Sequence, residues 1–440
     1  MYALTAGVTM MNFLLRNGIP NLVPFIVQEQ GYSASEAALL LAGFFPGYMI
    51  TQVPGGWASQ RFGAKLVNSL NIGGQALFLA LLPVAARFGV RSLAVVLTCL
   101  GMCQGPLVPA QAVVQRHWMP AGPERAWVSR LTQVGQRIGK IVTTVSTPWL
   151  ASTRGWRSVP YVYAACTGGF WLAWCAFAAN TPRDWSGWPH MNEAEIKLLE
   201  DGTAAGAKKK QPATPASVPA GKGERGGRSS SSGSTAWWKV GAANSIILMH
   251  VAANATEYTL TQWAPTFFIE MHGVNPAQLG QFLALPQTVA FFATFGTAAI
   301  EDLALRAGVP LLTVRKIAGL GGSVLHAIFL LAFGLVKTPR QSMLAYCGVT
   351  ATQCVYGSGH IPNYMEVGGS DVGVMKAVGN TVANAPGVII PMLGVWLRAR
   401  SGGSFLPLLA LVGGFQVFTG LVYAATASIE SAATILQQRR

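Results

Sequence analysis

Acidic residues are scarce in this chain, with 16 Asp and Glu against 31 Lys and Arg in 440 positions, and only 11% of residues are charged. A soluble globular chain carries about 25% charged residues, so an ordinary water-soluble domain is excluded. The charges gather in short gaps between long apolar runs and in one polar stretch near the middle. The short alternating segments of a membrane β-barrel are missing too, because the apolar runs are too long and too continuous. In lipid only helices and closed barrels satisfy every backbone group, so helices remain. Cysteine is sparse. Cys99, Cys103, Cys166, Cys175, Cys347 and Cys354 all sit inside apolar runs and none is spaced as a metal knuckle. They read as small buried hydrophobes, and neither a disulfide nor a zinc site is expected. The chain has no phosphate-binding loop, nucleophile elbow or zinc-protease motif. An enzyme or ATP-driven pump is therefore not expected, nor any catalytic residue, metal or cofactor.

What is present is a series of about twelve apolar runs, each of the length that spans a bilayer as a helix. They cover 3–27, 34–57, 66–86, 92–115, 127–150 and 157–179, then 240–269, 277–300, 313–336, 341–364, 372–397 and 403–427. The first run contains Asn12, Arg16, Pro20 and Pro24. A cleavable signal would not carry an arginine there, so the run reads as the first span. The organisation expected is a six-helix bundle over 1–180, a linker over 181–236, a second bundle over 237–430 and a tail over 431–440. The linker holds Lys208 to Lys210 and a serine run from Ser229 to Ser232. That composition buries too little apolar surface to fold, so a flexible basic segment is expected. A short amphipathic piece from Met191 to Leu199 would lie on the membrane surface. The net charge of +15 has a simpler source than nucleic-acid binding. With the amino terminus inside, the inner loops collect Arg61, Lys65, Arg116, Arg125, Arg306, Arg315, Lys316, Arg439 and Arg440, and the linker adds more. The outer loops hold fewer, so both termini are expected in the cytoplasm.

The two halves echo each other weakly. Gly105-x-x-x-Pro109 in span four parallels Ser358-x-x-x-Pro362 in span ten, and Gly135 to Pro148 in span five parallels Gly379 to Pro391 in span eleven. Internal repeats around a midplane site are a mark of secondary transporters.

The strongest local pattern runs from Gly47-Tyr48 through Gln52-x-Pro54-Gly55-Gly56-Trp57-Ala58-Ser59-Gln60-Arg61-Phe62-Gly63-Ala64-Lys65. It resembles the loop motif of the major facilitator superfamily, with Gly56, Arg61, Gly63 and Lys65 at its conserved-type positions. The preceding residues are similar to the anion:cation symporter branch, which includes vesicular glutamate transporters, sialin, plant phosphate and ascorbate carriers, and bacterial hexonate transporters. Asn12 to Arg16, Trp118-x-Pro120 with Glu124-Arg125, and Gly155-Trp156-Arg157-Ser158-Val159 with Tyr161 resemble the same branch. So do Trp263-x-Pro265-Thr266-Phe267-Phe268, Val314-Arg315-Lys316, Ser358-Gly359, Asn363 and Gly379-Asn380. The resemblance implies an all-α membrane protein of twelve transmembrane helices in two six-helix bundles. It fails where members carry charges on span four: those positions are Leu97 and Gln104 here. Leu15 and Gln60 likewise stand where acids are usual.

Ionisable groups within a span are costly and usually functional. Arg16 is charged at any physiological pH and its fork suits carboxylate or phosphate. The resemblance makes it a substrate residue; the plain alternative is a structural pair. Arg137 and Lys140 are three apart and share a helix face. They either replace the missing span-four arginine or snorkel to the surface. Gln136 beside them matches a family substrate-site glutamine. Glu257 is the carboxylate deepest in a span. It is either a proton-coupling site or one end of a fixed ion pair with Arg16 or Arg137. His250, His326 and His360 form no metal spacing and default to bonded core histidines, with His360 the candidate for coupling. Tyr48, Asn254, Tyr258 and Asn363 are expected to line a central cavity.

The expected function is alternating-access transport of a small anion, organic or phosphate, by a monomer, coupled to protons or sodium. An uncoupled anion carrier or channel on the same fold, and a solute sensor that moves nothing, stay open as alternatives.

Overall fold

The computed structural model describes residues 1–118, 124–185, 191–208 and 236–438; of residues 124–133, 201–208 and 370 it describes the backbone. The positions matched at Pro120, Lys209, Lys210, Ser229 to Ser232, Arg439 and Arg440 lie outside the described residues.

Among the described residues twelve long helices make two halves of six. The first half holds α1 Tyr2–Gln30, α2 Ala34–Phe62, α3 Ala64–Phe88, α4 Val90–Trp118, α5 Glu124–Arg154 and α6 Ser158–Phe177. The second holds α7 Gly241–His272, α8 Leu279–Arg306, α9 Leu311–Leu335, α10 Pro339–His360, α11 Val372–Arg400 and α12 Leu406–Thr426. Seven of them are long and apolar enough to cross a membrane by composition alone. Of the other five, α1, α5, α7 and α10 carry the charged and amide side chains that meet in the middle of the molecule.

Local chemistry sets the ends. Gly31 closes α1 in the left-handed conformation, at φ 68°. Two residues on, Ser33 caps α2: its hydroxyl accepts from the Glu36 amide, and the Glu36 carboxylate accepts from the Ser33 amide at 2.8 Å. This reciprocal pair satisfies donors the first helical turn leaves open. The first of the echoes seen in the sequence falls at breaks: α4 turns at Gly105–Pro106, and α10 gives way at Ile361–Pro362 to a short helix, Asn363–Gly368, whereas α5 runs unbroken from Gly135 to Pro148. α11 turns at Asn384–Ala385.

Each half has its own apolar core. Leu15, Leu40, Phe44, Leu93, Leu97 and Leu100 centre the first, and Phe268, Leu279, Leu330, Phe333, Val349 and Leu408 the second. The tightest crossing is α2 on α4. A Cβ on Gly101 would overlap the Phe44 carbonyl, and one on Gly47 would overlap the Thr98 carbonyl. Glycine is needed here because backbones touch, the usual way membrane helices gain packing.

The expected flexible linker over 181–236 is ordered at its start, which corrects the reading from composition. Thr181 and Asp184 close a turn, and a helix runs over Glu193–Lys208. Leu199 is buried against Ala64, Val114, Trp118 and Ala179. The helix thus docks on the first half through its apolar side, and Arg183 holds Glu200 by two bonds, at 2.6 and 2.9 Å. That bonding keeps the Glu200 carboxyl below its ordinary pKa.

Candidate functional site: a central cavity between the halves

The halves meet on the side away from the chain termini. There the Gln262 amide donates to the Leu41 carbonyl at 3.3 Å and to the Gly387 carbonyl at 3.1 Å, and Gly280 abuts the backbone of Thr144 and Val145. Between the halves lies a cavity of about 640 Å³ that continues past Val108 and Val134 on one half and Glu301 and Lys376 on the other. It therefore opens toward the face that bears the termini.

Arg16 projects into it from α1. Its Nη2 donates to the Tyr258 hydroxyl and, at 2.9 Å, to Asn384 Oδ1. Tyr258 in turn donates to the same Asn384 oxygen at 2.5 Å. Four rings enclose the guanidinium, with centroids at 4.7 Å for Tyr48, 5.3 Å for Phe45, 5.4 Å for Tyr258 and 5.7 Å for Phe44. A planar cation among ring faces is favoured electrostatically, and the ring walls fix its direction. All its hydrogen-bond partners among the described residues are neutral.

Lys140, buried on α5, meets Glu257 of α7 at 2.5 Å. The other Glu257 oxygen accepts from Gln353 of α10 at 2.9 Å. This ion pair joins the two halves. Of the two readings of Glu257, the one that pairs it with Arg16 or Arg137 is corrected in its partner, which is Lys140; Arg16 is turned into its ring cage. Snorkelling of Arg137 and Lys140 to the surface is corrected as well, since both line the cavity. Arg137 sits one helical turn before Lys140, with Nη2 3.5 Å from Thr294 Oγ1 and 3.9 Å from Cys354 Sγ.

Tyr48, Gln136, Asn254 and Tyr258 line the cavity, and Asn254 is held by the Ala383 carbonyl at 2.8 Å. Asn363 does not. It is fully buried, donates to Glu366 at 2.6 Å and to the Ser428 carbonyl at 2.8 Å, and accepts from Tyr423 at 3.0 Å. That knot also holds Arg315, which pairs with Glu301 and Glu366 near the terminal face. His360 reaches the cavity wall, but its Nδ1 donates to the Tyr356 carbonyl at 3.0 Å and the ring is fully buried.

The loop motif lies outside the cavity, at the terminal face. Gly63 has φ 85°, and a Cβ there would strike Asn180. Asn180 accepts from the Lys65 amide at 2.9 Å, while Trp118 donates to the Asn180 carbonyl at 3.2 Å. The motif thus locks α2 and α3 to the ends of α4 and α6. Arg61 is exposed beside Trp57 and Phe62, and Gly56 faces Pro109.

The positions where the resemblance predicts span-four charges are filled in other ways. Leu97 is 3% exposed in the first core. Gln104 donates to Gln75 at 2.8 Å, and Gln75 reaches Asn12 at 3.1 Å and also Asn71, giving a buried lattice of amides. Asn384, Gln353 and Asn180 escaped sequence reading. Asn384 stands one helical turn after Asn380, which the motif did flag; Gln353 and Asn180 carried no signal.

Residues 5–391 match the family described as Major Facilitator Superfamily. A chloroplastic ascorbate transporter of Arabidopsis thaliana is 28% identical over 366 residues, covering 82% of this chain and 62% of the relative. A probable anion transporter of Oryza sativa subsp. japonica, also chloroplastic, is 28% identical over 366 residues, 82% of this chain and 57% of its own. The chain thus matches about three fifths of the length of these relatives. The crystal structure of a D-xylose–proton symporter superposes with a TM-score of 0.69 at 15% identity, covering 97% of both chains. That likeness speaks for the fold alone. The two named relatives are of the kind the sequence motifs pointed to.

Proposed function

The chain belongs to the Major Facilitator Superfamily, and on that premise we propose that it carries a small anion across a membrane by alternating access of its two halves. One observation carries the reading: Arg16, Arg137 and Lys140 all enter a single cavity between the halves, where Glu257 pairs with Lys140 alone. Charges at that depth are costly and persist where they serve a solute pathway. The names of the two relatives support an anion. In this reading Arg16 is the principal anion contact, preset by Tyr258 and Asn384. Arg137 is the second contact, and Tyr48, Gln136 and Asn254 offer neutral hydrogen bonds. Asn363 leaves the site and becomes a structural residue.

The Lys140–Glu257 pair is the coupling element of this proposal. An incoming anion competes with Glu257 for Lys140, and a released carboxylate is free to take a proton or a sodium ion. His360 is a second candidate for coupling on the wall. In this proposal both termini are cytoplasmic and the cavity faces inward, and the motif of Gly56, Arg61, Gly63 and Lys65 steadies that face while the halves rock. The carrier acts as a monomer. One observation favours an uncoupled carrier as the second reading: Gln104 and its neighbours form a lattice of amides that cannot titrate.

Uptake into proteoliposomes tests the proposal. With a panel of phosphate, glutamate, ascorbate, sialate and hexonates, wild type shows saturable uptake of at least one anion. Arg16→Ala reduces it to background. Arg16→Lys restores only part, since an ammonium cannot donate a planar pair of bonds. Transport by Arg16→Ala at the wild-type rate would remove Arg16 from the mechanism.

A further inference from the structure

Two guanidinium groups enter the cavity with no carboxylate at ion-pair distance among the described residues. Arg16 bonds to a phenol and an amide oxygen. Arg137 makes only two long contacts, to a hydroxyl and a thiol. The nearby acids are occupied. Glu257 has one oxygen on Lys140 and the other on Gln353. Glu301, at the terminal-face end, is held by Arg315. Lys376 lines that same outer end and is exposed, so it stands apart from the deep groups. The deep part of the cavity therefore holds three cations and one anion, an excess of two positive charges.

Removing a charge from water without a partner is costly. Two like charges in one cavity also repel each other. From this balance we infer that the substrate carries two negative charges, with one anionic group at Arg16 and the other at Arg137. The inference rests on the anion-carrier reading above and narrows it. A monoanion would leave one guanidinium uncompensated in the closed state through which transport must pass. A dianion brings the deep cavity to neutrality. A cavity of about 640 Å³ has room for a ligand that touches both arginines. Aromatic walls at Phe44, Phe45, Tyr48 and Tyr258 exclude water from the Arg16 end, which strengthens charge selection there.

The test uses pairs of anions of like size that differ by one charge: succinate against monomethyl succinate, and sulfate against methyl sulfate. Full-length protein in proteoliposomes is expected to take up at least one dianion with kcat/KM about tenfold or more above that of its monoanionic partner. In Arg137→Gln the ratio falls toward one. Arg137→Lys, which keeps the charge, retains most of it. Circular dichroism and monodispersity in detergent check the fold of both variants, and the wild-type ratio stands without them. Preferential uptake of the monoanions by wild type, or an unchanged ratio in well-folded Arg137→Gln, overturns the inference while leaving an anion carrier. No uptake of any anion by correctly inserted protein overturns the carrier reading with it.

Discussion

Glu257→Leu lowers the stability of the protein by about 3–5 kcal/mol, because it strands a buried ammonium. Lys140 is 5% exposed, and its counter-charge among the described residues is the Glu257 carboxylate at 2.5 Å. Lys140→Met strands Glu257 instead, a smaller loss because Gln353 still donates to it. The double variant Lys140→Met/Glu257→Leu removes both charges and regains most of the loss, since an apolar pair of similar volume packs about as well as a buried ion pair. Thermal unfolding of the four proteins in detergent measures the cycle. Strict additivity of the single losses would mean that the two side chains do not depend on each other. Transport adds a separate readout. Glu257→Gln keeps the shape and the bond from Gln353 but removes the charge. It is expected to abolish the acceleration of uptake by an imposed pH gradient. Unchanged pH-driven uptake in Glu257→Gln would refute the coupling role and favour the uncoupled carrier.

Gly101→Val is expected to cost about 3 kcal/mol and to prevent recovery of monodisperse protein. The new side chain meets the Phe44 carbonyl and the Tyr48 amide, which are backbone atoms of α2 that cannot rotate away. To admit it, α2 and α4 must separate along the crossing at Gly47 and Gly101. The separation also displaces Phe44 and Tyr48, two of the rings around Arg16. The variant therefore loses both packing and the shape of the site. Gly414→Ala is the control, because no atom lies near its added Cβ. It is expected to be neutral or slightly stabilising, as alanine is the better helix former. Equal yield and stability of Gly101→Val and wild type would show that α2 and α4 do not pack as described.

The helices were legible because a bilayer imposes their length. The apolar runs read at 34–57, 92–115 and 372–397 correspond to α2, α4 and α11, each extended by a few residues where polar ends reach out of the apolar layer. The list of polar residues inside spans was equally readable, since such residues stand out against an apolar background. Pairing was not. Glu257 invited a match with Arg16 or Arg137, but sequence gives the face of a residue on its own helix and not the rotation of that helix against its neighbours. Lys140 takes the carboxylate because Arg16 is turned into an aromatic cage. Asn363 resembles a cavity residue in sequence, yet it follows the break at Ile361–Pro362, which turns it toward Glu366 and Tyr423. At the start of the linker the amphipathic piece read at Met191 to Leu199 is part of a helix, but Leu199 packs against the first half, because sequence shows an apolar side and not the surface that covers it.

The central claim is that an anion occupies the cavity between the halves, held at Arg16 and Arg137. Cys354 reports on it directly, since its thiol lies beside Arg137 on the cavity wall. In protein whose other five cysteines are replaced by serine or alanine, Cys354 is to be alkylated with a charged, membrane-impermeant thiol reagent. The transported anion is then titrated in. The account predicts that saturating anion slows the reaction several-fold in the otherwise native background, and that Arg16→Ala abolishes the protection. An alkylation rate indifferent to anion, in protein that still transports it, would place the solute path elsewhere and contradict the account.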